Sequence, residues 1–81
     1  MAKPRVRNSI RRLRFDAGEM TQRELASRVE CTRQTIVMLE QERYVPSLAL
    51  AFRIARVFSK SIEDVFRYED EDEDEAPTDT D

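Results

Sequence analysis

The sequence contains no histidine, no tryptophan, one cysteine and one glycine. Without histidine, this chain alone cannot build a Cys/His zinc site or a Ser/His or Cys/His catalytic pair. One glycine, Gly18, is too few for a glycine-rich phosphate-binding loop. No apolar run approaches the roughly 18 residues of a membrane-spanning helix, and the N-terminus lacks the apolar region of a signal peptide. We therefore expect a cytoplasmic protein that is not an enzyme, with no cofactor, metal, small-molecule ligand or membrane association.

The charges are divided unevenly along the chain. Residues 1–68 contain all 14 Lys and Arg residues and 8 acidic residues, which gives this part a net charge of +6. Residues 69–81 contain 9 acidic residues and no basic residue. The overall charge of −3 thus conceals a basic segment, and it does not argue against nucleic-acid binding.

The acidic segment 69–81 has no apolar residue except Ala76 and therefore cannot form a hydrophobic core. We expect it to be a disordered tail that follows one small domain in residues 1–68. Two roles are open for it. The simpler one is a solubilising tail, and the other is a mimic of DNA phosphates that competes with DNA for the basic domain.

Residues 21–41 predict two short helices joined by a tight turn. At the start of the first helix, Thr21 and Glu24 have the spacing of a capping box, in which the two residues exchange hydrogen bonds. Thr32 is a candidate N-cap for the second helix. Apolar residues at helical spacing give each helix one buried face.

The outward face of the second of these helices carries side chains that suit the edges of DNA bases. Its members are Arg33, Gln34, Val37, Met38 and Gln41. Arg presents a two-pronged donor to guanine O6 and N7, and Gln can pair with adenine N6 and N7. Val37, Met38 and the Thr35 methyl group could contact thymine methyl groups. Taken alone, these residues fit an ordinary solvated helix surface equally well.

The motifs TQRELASRV, TRQTIVMLE, PSLALAFRIARVF and SIEDVF, in this order, resemble the Xre family of lambda-repressor-like helix-turn-helix regulators. They are most similar to its small dimeric members, which contain little beyond this domain, and the resemblance covers about residues 6–68. It implies an all-α domain of five helices, in which the third helix enters the major groove. We expect the helices at about residues 8–17, 22–29, 33–41, 48–58 and 62–66.

The same resemblance implies roles for individual residues. Base-contacting side chains fall at Arg33, Gln34, Val37 and Met38. Phosphate contacts fall at Gln22, Thr32, Thr35, Gln41 and Arg43. For Gln22 the physical chemistry agrees, because a helix N-terminus offers free N–H groups and a positive dipole end to an anion.

Two features of the family pattern are missing from this sequence. Glu30 replaces the turn glycine before the recognition helix, and Gln41-Glu42 replaces the usual Asn-Gly at its end. Because neither glutamate is comfortable at positive φ, we expect a slightly different turn geometry. Glu42 should also place a negative charge beside the expected phosphate path.

Several other residues of the predicted helices are interpreted as structural. Arg14 lies on the buried side of the first helix and needs a partner there. Glu40, on the inner side of the third helix, is the obvious candidate, and the resemblance supports a buried Arg14–Glu40 ion pair. We interpret Arg11 and Arg12 as solvated charges, and Cys31 as a small apolar residue packed in the turn.

Two further segments raise the question of pairing. Arg5-Val6-Arg7 could pair as a strand with Phe66-Arg67-Tyr68, as in small dimeric relatives, reach DNA phosphates, or form a frayed terminus. The fourth predicted helix is apolar over most of its circumference. This pattern indicates that a second subunit covers part of it.

Together, these observations predict a sequence-specific regulator of transcription that binds double-stranded DNA. We expect a homodimeric repressor that reads an inverted repeat. The alternative is a protein-interaction module, such as the antitoxin of a toxin–antitoxin pair, that binds DNA to regulate its own synthesis.

Overall fold

The computed structural model describes residues 5–69. In chain order its elements are β1 (Val6–Asn8), α1 (Ile10–Asp16), α2 (Gln22–Val29), α3 (Arg33–Glu40), α4 (Leu48–Val57), α5 (Ile62–Val65) and β2 (Phe66–Tyr68). Five helices and a small antiparallel sheet confirm the predicted fold class. All the helices except α2 are shorter than expected, by one to three residues. The predicted disordered tail covers residues 69–81. At Glu69 this prediction is wrong, because its N–H bonds to the Arg5 carbonyl at 2.8 Å and its carboxylate pairs with Arg7 at 3.2 Å. Residues 70–81 lie outside the described residues.

A hydrophobic core joins all five helices. Its largest fully buried side chains are Ile10, Leu25, Val29, Ile36, Leu39, Ile54 and Val65. Each of them stabilises the fold by roughly 1.5–3 kcal/mol through its burial. Since Ile36 and Leu39 are three residues apart, they fix one side of α3 against the core and turn the opposite side outward. Within residues 5–69, no helix has the length and the apolar character needed to cross a membrane.

The helix starts use serine and threonine caps, with one difference from the prediction. Thr21 Oγ1 accepts the Glu24 N–H at 2.9 Å, but the Glu24 carboxylate pairs with Arg28 at 3.4 Å and does not return the bond. A complete capping box starts α5 instead. There the Asp64 N–H donates to Ser61 Oγ at 3.1 Å, and the Ser61 N–H donates to Asp64 Oδ2 at 3.3 Å.

The two strands pair antiparallel at the end of the domain. The opposed residues are Val6 and Tyr68, Arg7 and Arg67, and Asn8 and Phe66. The expected strand at residues 5–7 is therefore displaced by one residue, although the Arg5 carbonyl still accepts the Glu69 N–H at 2.8 Å. Phe66 starts β2 and does not end α5, because its φ of −121° and ψ of 143° are extended.

Helices α2, α3 and α4 are each followed, within two residues, by a non-glycine residue in the left-handed region. These residues are Glu30, Glu42 and Ser59, with φ of 63°, 61° and 56°. The next N–H bonds to a carbonyl five residues back, which is a bond of the Schellman motif. The pairs are Cys31 to Ala26 (3.0 Å), Arg43 to Met38 (3.0 Å) and Lys60 to Ala55 (2.9 Å). The expectation of an altered turn geometry is wrong, because both glutamates adopt the conformation that a glycine would adopt.

Cys31 lies in the turn between α2 and α3. Its side chain is half-buried, packs against the core and places Sγ 3.5 Å from the Thr32 carbonyl oxygen. Burial raises the pKa of the Cys31 thiol above its ordinary value, although the positive charge of Arg53 opposes this shift. The thiol therefore stays uncharged at neutral pH and packs as a small apolar group.

Replacing Glu30 with glycine should increase stability. Glu30 is exposed, and a side chain in the left-handed region costs about 1–2 kcal/mol, so we expect Glu30→Gly to raise the free energy of unfolding by about 1 kcal/mol. Glu24→Gly is the matched control, because in a regular helical conformation glycine costs about 1 kcal/mol. Urea unfolding should show effects of opposite sign. A loss of stability in both variants would contradict this account of the turn.

Candidate nucleic-acid interface

The N-terminal end of α3 is fixed by two threonines. Thr32 is extended, and its Oγ1 accepts the Thr35 N–H at 3.1 Å and lies 3.0 Å from Thr35 Oγ1. Thr32 is exposed and Thr35 is half-buried. The structure thus places these two predicted phosphate-contacting residues side by side at the start of α3.

Arg14 and Glu40 form a two-point ion pair between α1 and α3. Arg14 Nε lies 2.7 Å from Glu40 Oε2, and Nη2 lies 3.0 Å from Oε1. The two side chains are only 14% and 9% exposed. Arg14 Nη1 also donates to the Met20 carbonyl at 2.7 Å, and Gln22 Nε2 donates to Glu40 Oε1 at 3.0 Å. This network holds α1, the start of α2 and the end of α3 in fixed relative positions.

A groove of about 530 Å³ lies over this network. Its lining includes Arg11 and Arg14 from α1, Gln22 from α2, and Val37, Glu40 and Gln41 from α3 and its C-cap. Three of the predicted contact residues, Gln22, Val37 and Gln41, therefore meet in one place. Because Arg14 neutralises Glu40, the charge that remains in the groove is that of Arg11, so the groove favours an anion.

Arg11 is a residue of this site that the sequence analysis missed. Its side chain is exposed and makes no hydrogen bond or ion pair with any residue between 5 and 69. The neighbouring Arg12, by contrast, pairs with Asp16 Oδ2 at 3.4 Å. The sequence could have indicated the position of Arg11, because Arg11 precedes Arg14 by three residues and so lies on the same side of α1.

The four predicted base-contacting residues lie along the outward side of α3. Arg33 and Gln34 are exposed, and Val37 and Met38 are half-buried. Among the described residues, neither the Arg33 side chain nor the Gln34 side chain has a hydrogen-bonding partner. The start of α3 therefore offers unpaired donors and acceptors, with two apolar side chains beside them.

The end of α3 carries Gln41 as its C-cap, followed by Glu42 and Arg43. The Arg43 side chain is exposed. The Glu42 side chain is only 22% exposed, and its carboxylate accepts from Arg7 Nη1 at 3.3 Å and from the Asn8 N–H at 3.4 Å. The negative charge expected beside the phosphate path is therefore directed toward β1 and paired with Arg7.

Residues 10–65, more than half of the chain, match the sequence model of the family described as Helix-turn-helix. This protein belongs to the Xre family of helix-turn-helix transcriptional regulators. It is 52% identical over 67 residues to an uncharacterized HTH-type transcriptional regulator of Archaeoglobus fulgidus, over 83% of this chain and 94% of that protein. It is 42% identical over 66 residues to the uncharacterized HTH-type transcriptional regulator YgzD of Bacillus subtilis, over 82% of this chain and 98% of that protein.

The Xre-family fold also resembles a crystal structure from Bacteroides fragilis, which is named as a candidate DNA-binding protein. The TM-score is 0.67, over 76% of this chain and 98% of that chain. The two sequences are 19% identical, so this likeness shows the fold alone.

Breaking the buried ion pair should destabilise the protein. Arg14→Met is expected to lower the free energy of unfolding by about 3 kcal/mol, because it leaves the Glu40 carboxylate nearly buried without a cation. Adding Glu40→Leu should recover most of this loss, because no buried charge then remains. Arg12→Met, which breaks an exposed pair, should cost no more than about 1 kcal/mol in the same urea titration. A double variant as unstable as Arg14→Met would contradict the argument.

Proposed function

We propose that this DNA-binding helix-turn-helix regulator inserts α3 into the major groove of double-stranded DNA. The main support for this proposal is the difference between the inner and outer sides of α3. The inner side is held by the core and by Glu40, whereas the side chains of Arg33 and Gln34 have no partner within residues 5–69. A fixed helix with unpaired Arg and Gln side chains suits the donor and acceptor pattern of base edges in the major groove.

Each outward side chain of α3 is assigned to one kind of base. In this proposal Arg33 donates two hydrogen bonds to guanine O6 and N7, and Gln34 pairs with adenine N6 and N7. Val37 and Met38 contact thymine methyl groups. The exposure of the two polar residues and the half-burial of the two apolar residues support this division.

Phosphate contacts on either side of α3 would set the position of the helix on the duplex. We assign them to Gln22, Thr32, Thr35, Gln41 and Arg43. We add Arg11 to this set, because it shares a groove with Gln22 and Gln41 and has no partner among residues 5–69. Gln22 keeps one amide N–H for a phosphate while the other is bonded to Glu40.

An apolar stripe supports a homodimer. Val45, Leu48 and Phe52 are 47%, 68% and 52% exposed, and Phe52 and Ile62 line a groove of about 450 Å³. A second copy of the chain would cover this stripe, and its α3 would read the second half of an inverted repeat about 34 Å away. A dimer bound across a promoter would act as a repressor by excluding the transcription machinery.

Selection of bound duplexes from a random DNA pool, at two salt concentrations, tests this function. We expect an inverted repeat whose half-site centres lie one helical turn apart, because two symmetry-related α3 helices approach one side of the duplex. Binding that depends on salt but selects no sequence would contradict sequence-specific regulation. It would favour instead the antitoxin-like alternative, in which the apolar stripe binds a different protein.

Arg33→Ala should relax the sequence preference at one base pair of each half-site. The expected loss is about 1–3 kcal/mol of binding free energy on the selected duplex and little on an unrelated duplex. Arg43→Ala should weaken binding to both duplexes alike, because it removes a phosphate contact. Fluorescence anisotropy on both duplexes measures the difference. An equal loss on both duplexes for Arg33→Ala would make Arg33 a phosphate contact.

Arg11→Ala should weaken binding to all DNA sequences and flatten its salt dependence. Removing one phosphate contact is expected to reduce the slope of log Kd against log salt concentration by about 1. Arg12→Ala is the matched control, because it changes the net charge equally but removes a residue that is already paired with Asp16. Identical salt slopes for the two variants would show that Arg11 acts only through net charge.

A further inference from the structure

The strand β1 is bonded at three points to the last turn of α3 and the turn that follows it. The Asn8 side chain donates from Nδ2 to the Leu39 carbonyl at 2.8 Å, which adds a second hydrogen bond to a carbonyl that also accepts the Glu42 N–H. The Asn8 N–H and Arg7 Nη1 both donate to the Glu42 carboxylate, at 3.4 and 3.3 Å. A strand at the N-terminal end of the domain is thus attached to the C-terminal end of the recognition helix.

Glu42 combines two properties that a glycine at this position could not combine. With φ of 61°, it forms the turn in which the Glu42 N–H bonds to the Leu39 carbonyl at 2.9 Å and the Arg43 N–H bonds to the Met38 carbonyl at 3.0 Å. Its carboxylate also reaches Arg7. The residue that sets the direction of the chain into Arg43 is therefore held from outside the helix.

Arg7 is itself held on a second side. Its Nε lies 3.2 Å from Glu69 Oε1, and its backbone pairs with Arg67 in β2. Arg7 and Glu42 are 40% and 22% exposed, so solvent screens this ion pair more than the Arg14–Glu40 pair. Its effect should therefore lie in the placement of the turn more than in overall stability.

We propose that Arg7 and Glu42 are positioning residues for DNA reading. Their ion pair holds the turn after α3, so that Arg43 meets its phosphate while Arg33 and Gln34 meet their bases. The inference rests on the function proposed above. It assigns to β1 a part in sequence discrimination although neither Arg7 nor Glu42 contacts the bases.

Glu42 could instead simply repel DNA through its negative charge. The two roles predict different effects of Glu42→Gln on DNA binding. Under repulsion, removing the charge tightens binding to every duplex by the same factor. Under positioning, the variant loses selectivity, measured as the ratio of Kd on an unrelated duplex to Kd on the selected duplex. We expect this ratio to fall by roughly 3- to 30-fold, as for residues that couple to a site without touching its ligand.

The experiment measures this ratio by fluorescence anisotropy for the full chain and four variants. Arg7→Ala and Glu42→Gln should reduce selectivity equally, and their combination should reduce it no further, because both remove the same interaction. Arg7→Lys should restore much of it, since an ammonium can still pair with Glu42. Equal tightening on both duplexes by Glu42→Gln would overturn the proposal.

Arg67→Ala is the matched control for Arg7→Ala. Arg67 lies directly opposite Arg7 in the sheet and carries the same charge, and its bonds go to Ser9 at 3.4 Å and Glu69 at 3.9 Å, not to α3. We expect Arg67→Ala to keep the selectivity of the unmodified protein. The same loss in both variants would overturn the proposal, because a general weakening of the sheet would then explain it.

Hydrogen exchange in the free protein gives a readout that does not depend on DNA. Arg7→Ala should accelerate exchange of the Glu42 and Arg43 amides, which close the turn, while leaving the Leu25 amide within α2 unchanged. Unchanged exchange at Glu42 and Arg43 would overturn the proposal. If the unmodified protein prefers no duplex, the proposed function fails and with it the role in reading DNA, but the exchange rates still decide whether the pair holds the turn.

Discussion

The Glu40 carboxylate is the group on which the arrangement of the side proposed to face DNA depends. It accepts two hydrogen bonds from Arg14 and one from Gln22, and its side chain is 9% exposed. A carboxylate so far from water is tolerated only when its bonds are satisfied, so α1, α2 and α3 must come together in one geometry. The residues proposed to contact DNA are mounted on this unit, which reduces the ordering required when DNA binds.

The scarcity of glycine has a structural counterpart at the helix ends. Glu30, Glu42 and Ser59 hold left-handed conformations that glycine adopts without strain. The Glu30 side chain is exposed and makes no bond within residues 5–69 that would offset this strain. At Glu42 the carboxylate is bonded to Arg7 and to the Asn8 N–H, so the same strain places a side chain where it ties β1 to α3.

The features that the sequence predicted well are local or belong to a shared family pattern. Thr21, Thr32 and apolar spacing mark α2 and α3 within a few residues, and these are short-range signals. The bond between Arg7 and Glu42 joins residues 35 apart, and no local pattern announces it. The role proposed for Arg11 has a similar origin, because it depends on the groove that α2 and α3 form beside this exposed residue.

The side chains of Arg33 and Gln34 are exposed and bond to no other residue of the range 5–69, whereas the side chains that hold α3 lie on its opposite side. Replacing either residue therefore removes little that the fold needs, since surface substitutions away from such contacts usually change stability by less than about 0.5 kcal/mol. Gene copies of such a regulator can diverge in the operators they recognise while keeping the same scaffold. Under the role proposed for Arg33 and Gln34, α3 separates the residues that set specificity from the residues that preserve the fold.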